Sequence, residues 1–518
     1  MVRADNAAEV FNLGQAEAVS RAFFVPTCRL WVFVVLLCIV ALPRIGFLGN
    51  PDYHVDEEFY GLVADRMWKG DLPYVDIWDR KPVGLFLIYA GLHPFNGGGL
   101  VGVQLAGILS SALTAFVIWN IVRRYADTFA AFAIALLYPC WTMVFGGANG
   151  QSPVFYNLLI VSAVLLVLRS IDEPETIKHR GLLAMLLGGM AIQVKYTAIF
   201  EVALLGLGLA AIAWRTMAAR QATAWITLWA TLALLPTLSA WLTYEALGHG
   251  PEFVQANFTS IFLRARLQDA FQARLIRFII VVGMPMFGMA LIGGLRLARA
   301  SDIPREDRLL LLGWTGAALV GFSCIGNFYD HYTLPLIAPM VILSLPLFFN
   351  RTVGLPVLGA ALIWIGVFLP YDAIKANRRS RATLAGMASD VKQFLGHGSL
   401  FIWDGPSALY VASQAAPPSR FAYPDHLDNI VEAGALGVDS GREMRRILAA
   451  RPAVIVTSDR RLVPLYNPTT RTLIAKALSM NYVEYSKRME GWGTRSYIIN
   501  VRRDLCRCSD RPASQLVP

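Results

Sequence analysis

The chain has 518 residues, of which 56% are hydrophobic and only 16% charged, with a mean hydropathy of +0.49. A water-soluble protein carries about a quarter charged residues, so these proportions exclude an ordinary soluble enzyme and point to a bilayer. The net charge of +10 is concentrated in one place: from Asp372 to the C-terminus 21 Lys/Arg stand against 13 Asp/Glu, which predicts a polar tail facing an anionic partner at a membrane and no nucleic-acid function.

In chain order, residues 1–23 are mixed polar and lack the small-residue cleavage site of a secretory signal, so they are expected to stay attached as a cytoplasmic tail. Apolar runs suited to spanning helices follow near 24–48, 100–122, 129–147, 153–170, 181–194, 196–214, 224–246, 275–295, 309–326, 333–350 and 353–371. The run 83–95 makes a helix of about 20 Å, short of the ~30 Å hydrocarbon core, and is expected to lie at the interface or re-enter. With the N-terminus inside, 15 basic residues fall in the inner loops against nine in the outer ones, which favours that orientation. A loop at 50–82, a second at 247–272 and the tail from 372 then face outward. The second loop is amphipathic, suits the membrane surface and could act as a lid.

The tail alternates short apolar runs (399–403, 453–457, 497–501) with helical patterns (384–395, 441–450), which predicts a small α/β domain. It lacks a phosphate-cradling glycine loop. Cys506 and Cys508 form a C-x-C, from which no metal site follows, because zinc sites are usually built from two spaced pairs. The predicted architecture is an all-α polytopic membrane domain of about 11 spanning helices at 24–371, followed by a small soluble α/β domain at 372–518.

The segment from Tyr53 to Tyr89, YHVDEEFYGLVADRMWKGDLPYVDIWDRKPVGLFLIY, carries the chemistry. Asp56, Glu57 and Glu58 directly follow the first span, and Arg80, Lys81 and Pro82 mark the next membrane entry. A carboxylate at a membrane surface can take the proton of an attacking hydroxyl. Cations opposite it can stabilise charge on a phosphate leaving group, more strongly in a partly dry cleft.

The ordered string DE, then G-x-L-P-Y-x-D-x-W-D-x-K-P, resembles the GT-C type membrane glycosyltransferases, in the branch that includes the protein O-mannosyltransferases and the lipid A aminoarabinose transferase. The resemblance implies inverting transfer of a sugar from a polyprenyl-phosphate donor at the outer face of the bacterial cytoplasmic membrane. It implies Asp56 as base, Glu57 as its support, and Lys81 with Arg80 toward the donor phosphate. Tyr74, Asp79 and Gln151 are expected to bind substrate. A second match, Asn327 to Pro335 (NFYDHYTLP), carries His331 and Tyr332 to the donor phosphate. Lys195, ionisable within an apolar stretch, is expected at the tip of a short helix facing the same cleft.

Many relatives have a second acid before the fourth span, where this chain reads Gly147-Ala148-Asn149-Gly150-Gln151-Ser152. Amides bind divalent ions poorly, so neither metal nor cofactor is expected. The basic tail predicts an anionic lipid or glycan acceptor. Two other readings are a protein O-glycosyltransferase and a polar-lipid flippase. The flippase would place acids near mid-membrane on several helices, whereas Glu201 is the main such acid here and the others gather at one face.

Overall fold

The computed structural model describes residues 29–506 except Asp52, Gly98 and Pro464. The tail 1–23 and Cys508 lie outside the described residues. Within the described residues all eleven apolar runs fall on helical segments, and seven helices are long and apolar enough to cross a membrane: Arg29–Phe47, Val101–Val122, Ser152–Asp172, Tyr196–Thr216, Ala219–Ala246, Asp269–Arg299 and Arg351–His397. The other four of the about 11 expected spans form helices that are shorter or more polar at their ends. Thr128–Val144 has 17 residues, Ile177–Val194 and Arg305–Ser323 open on charged turns, and Leu334–Leu343 ends after 10 residues.

That last helix is buried at every position. An element apolar all round belongs in the middle of a bundle, and Leu334–Leu343 packs against Thr128–Val144, Asp269–Arg299 and Arg305–Ser323. Large apolar side chains such as Leu207, Leu291, Ile363 and Val367 stay exposed on the outer helices, as a multi-pass membrane protein requires of its lipid-facing surface.

Polar contacts fix the end of the bundle where the first loop emerges. Arg44, almost fully buried, donates to the carbonyls of Pro139 and Ala148 at 2.9 and 3.1 Å and to Thr142 Oγ1 at 2.9 Å, and so ties the first span to the segment before Gln151. Gly84 lets the helix Val83–Leu92 lie directly on the end of Ile177–Val194: a Cβ there would stand 2.6 Å from the Gln193 carbonyl oxygen. The contact brings the chain just after Lys81 beside the chain just before Lys195.

The tail forms a four-stranded sheet from β1 (Leu400–Ile402), β2 (Val454–Ser458), β3 (Tyr482–Met489) and β4 (Ser496–Arg502) in the order β1-β2-β4-β3. β1 and β2 are parallel, with Ile402 opposite Val456. β4 is antiparallel to both neighbours. The helix Tyr371–Lys392 joins sheet to bundle: Asp390 accepts from Ser486 and Arg488, while Asn377 donates to the carbonyls of Gly46 and Leu48.

The second loop, at 247–272, is a broken helix, Gly250–Val254 and Ser260–Leu263 joined by a π-helical turn at Gln255–Thr259. Its Gln255 accepts from Trp78 Nε1 at 3.0 Å and donates to the Ala435 carbonyl at 2.9 Å, which pins the first loop to the tail.

Candidate active site

The helix Val55–Trp68 opens on three acids, where the positive end of the helix dipole favours them. His54 is the N-cap, its Nδ1 accepting from the Asp56 amide at 3.2 Å. Asp56 Oδ2 lies 3.7 Å from His331 Nε2, and Oδ1 accepts from the Tyr423 hydroxyl at 3.1 Å. His331 also places Nδ1 3.4 Å from Asp330 Oδ1, so one imidazole bridges two carboxylates.

Lys81 and Lys195 complete the pocket from other segments. Lys81 Nζ stands 5.7 Å from the Tyr60 ring centroid and Lys195 Nζ 4.7 Å from that of Tyr332. Both lie over aromatic faces, which attract cations without neutralising them. The charges act on each other. Burial alone would raise the Asp56 carboxyl, but Lys81, His54 and His331, with the Tyr423 hydroxyl, outweigh it and hold Asp56 well below the usual carboxylate range. Burial, joined by the charge on Lys81 and opposed by Asp56, lowers Lys195 to about 7.

Glu57 is buried and turned toward the segment Gly150-Gln151. Burial raises its carboxyl to about 8, and neither side-chain oxygen has a hydrogen bond of ordinary geometry. Gln151 precedes the helix Ser152–Asp172, with its own Nε2 buried and unpartnered. Asp79 accepts from the Arg80 amide at 2.6 Å, and its charge reaches Lys81 and Asp56.

Two expected contacts are corrected. Arg80 does not face the pocket: its guanidinium pairs with Glu432, which also takes Arg264 Nε at 2.7 Å. Tyr74 is fully buried and donates its hydroxyl to the Lys81 carbonyl at 2.8 Å, so it positions Lys81. Tyr423, Glu432 and Arg264 were not foreseen. His54 could have been, since a residue with a side-chain acceptor just before a run of acids is an N-cap signal.

Residues 79–243 match the family model described as dolichyl-phosphate-mannose-protein mannosyltransferase. Two solved structures share the fold along nearly the whole chain. They are ArnT from Cupriavidus metallidurans bound to undecaprenyl phosphate (TM-score 0.59) and the same protein in the apo state (TM-score 0.61). The fold is that of the solved ArnT structures. The likeness to ArnT covers 95% and 93% of this chain and 99% of each ArnT chain, at 15% identity in both. No curated protein matches the chain in sequence. The match to the mannosyltransferase family model contains Lys81 and Lys195, while Asp56 and His331 lie outside it.

Proposed function

We propose that the protein transfers a sugar from a polyprenyl-phosphate donor to a cell-envelope lipid or glycan, at the periplasmic face of the bacterial cytoplasmic membrane, by a single inverting displacement. The observation that carries this reading is that one carboxylate, Asp56, shares a pocket with Lys81, Lys195 and His331, cations and an imidazole from three separate segments. An acceptor hydroxyl oxygen attacks C1 of the donor sugar as the C1–O bond to phosphate breaks. The polyprenyl phosphate leaves with the electron pair, and the hydroxyl proton passes to Asp56. The lysines meet the charge that grows on the leaving phosphate. Tyr332 orients Lys195, and Asp79 and Gln151 are left to contact the sugar.

The solved ArnT that binds undecaprenyl phosphate supports the lipid-linked donor by fold alone. In this reading residues 24–371, with the loop 50–82, form the catalytic membrane unit, and 372–518 form a periplasmic unit that closes over it.

The test is Asp56→Asn in membranes loaded with labelled polyprenyl-phosphate sugar. Label transfer is expected to fall by about 10²–10⁴, the usual worth of a positioned base, with folding unchanged. Full transfer by that variant would remove the proposed base.

A further inference from the structure

A cavity of about 310 Å³ lies between the start of the helix Val55–Trp68 and the carboxyl ends of β1 and β2, the edge at which open α/β sheets hold ligands. Its size is at the low end for small-molecule sites, enough for one ring. Three features of its wall bear on what it takes. Tyr53, Trp492 and Tyr497 line it, the first two with ring centroids 6.5 Å apart. The turn between β3 and β4 contributes Glu490 and Arg495, held together by Arg495 Nε donating to Glu490 Oε1 at 3.0 Å. Thr494 secures the other Glu490 oxygen at 2.5 Å, and Arg495 Nη1 is buried with no hydrogen-bond partner among the described residues.

The charge of the wall selects against an anion. Glu58 and Glu490 face a single base, Arg495, and burial lowers the one imidazole there, His54, to about 4, so it is neutral at pH 7. A phosphate or carboxylate would meet two acids and one cation. An uncharged pyranose suits the wall better. Its C–H face packs on indole and phenol rings, and its hydroxyls take the fixed donor and acceptor of an Arg/Glu pair.

The place of the cavity separates it from the donor cations. At about 100° per residue, Val55 and Glu58 turn to a different side of the helix from Asp56 and Tyr60, and neither Lys81 nor Lys195 lines it. His54 belongs to both sides, lining the cavity while its ring stands 5.0 Å from that of His331.

We propose that this cavity is a saccharide subsite holding an uncharged sugar ring of the acceptor, reached from the Asp56 pocket past His54, so that the basic surplus of the tail does not define the acceptor unit. The assignment as acceptor rests on the glycosyl-transfer reading above; the binding of a neutral sugar does not.

The probes are methyl α-mannoside, methyl β-glucoside and methyl β-galactoside, with glucuronate and inorganic phosphate as anions, each titrated against the full-length protein in micelles by saturation-transfer NMR. At least one glycoside is expected to saturate, with glucuronate and phosphate much weaker. Arg495→Met is expected to weaken binding roughly tenfold or more, as loss of a charged hydrogen bond does, and Trp492→Leu to weaken it through loss of the ring face. Arg495→Lys, which keeps the charge and loses the fork, covers a variant that fails to fold.

No saturable glycoside, equal binding by an anion, or unchanged binding in folded Arg495 variants would overturn the proposal. Asp56→Asn separates the two readings: it is expected to bind glycoside as the parent does and to lose transfer. If it keeps transfer, the catalytic reading falls and the subsite stands.

Discussion

Arg80 and Lys81 are neighbours in sequence, yet they serve two regions built on opposite principles. Arg80 enters a clamp with Arg264 and Glu432, three largely buried groups from the first loop, the second loop and the tail, paired at hydrogen-bond distance. Lys81 enters a pocket where the opposite charges stay apart: both lysines rest on aromatic faces and Asp56 is steadied by a phenol and an imidazole. Charges meant to hold segments together are neutralised where they stand. The lysines that meet the substrate in the proposed function rest instead on ring faces.

The variants that test this contrast differ in what they break. Asp56→Asn, with the loss given above, should abolish transfer and leave the unfolding temperature near that of the parent. Lys81→Met should cost about 10²–10³ in transfer rate, the usual loss when one group stabilising a developing anion is removed, measured at saturating donor. Glu432→Ala should do the reverse. It strands two buried guanidinium groups, a change that costs about 3–5 kcal/mol, read as a large drop in unfolding temperature with transfer at low temperature largely kept. Equal damage to stability from the Asp56 and Glu432 variants would dissolve the distinction.

Two smaller effects follow from the pKa shifts. Lys195, lowered to about 7, is charged below that pH and neutral above it. Transfer should therefore decline as pH rises from 6 to 8, and Lys195→Arg, charged throughout, should flatten that decline. Glu57, raised to about 8, is protonated at pH 7, so Glu57→Gln should change transfer there by no more than a few-fold, the smallest effect of the set. A large loss at pH 7 would mean that Glu57 works as an anion.

The helices were legible because a run of apolar residues long enough to span needs no tertiary information. The count was less so, since Lys178-His179-Arg180 and Arg305-Glu306-Asp307-Arg308 put charged turns at the start of apolar helices. Strand β3 escaped because its register shifts between Glu484 and Ser486, and a bulge flips the face of every later residue.

At the site, Asp56 and Lys81 could be read from one continuous motif and Lys195 from its apolar surroundings. That Arg80 and Lys81 part ways could not, because the partner deciding it, Glu432, is 352 residues distant. The cavity wall at Trp492 and Arg495 belongs with it: nothing in the sequence of a hairpin turn says which loop it will face.

Tyr423 stands 367 residues after the carboxylate it bonds. Translation runs from the N-terminus, so Asp56 and both lysines emerge from the ribosome long before the phenol that steadies the acid. The pocket is thus completed only 367 residues after Asp56 is made, and a product ending before Tyr423 would carry the charged groups without the hydroxyl that completes them.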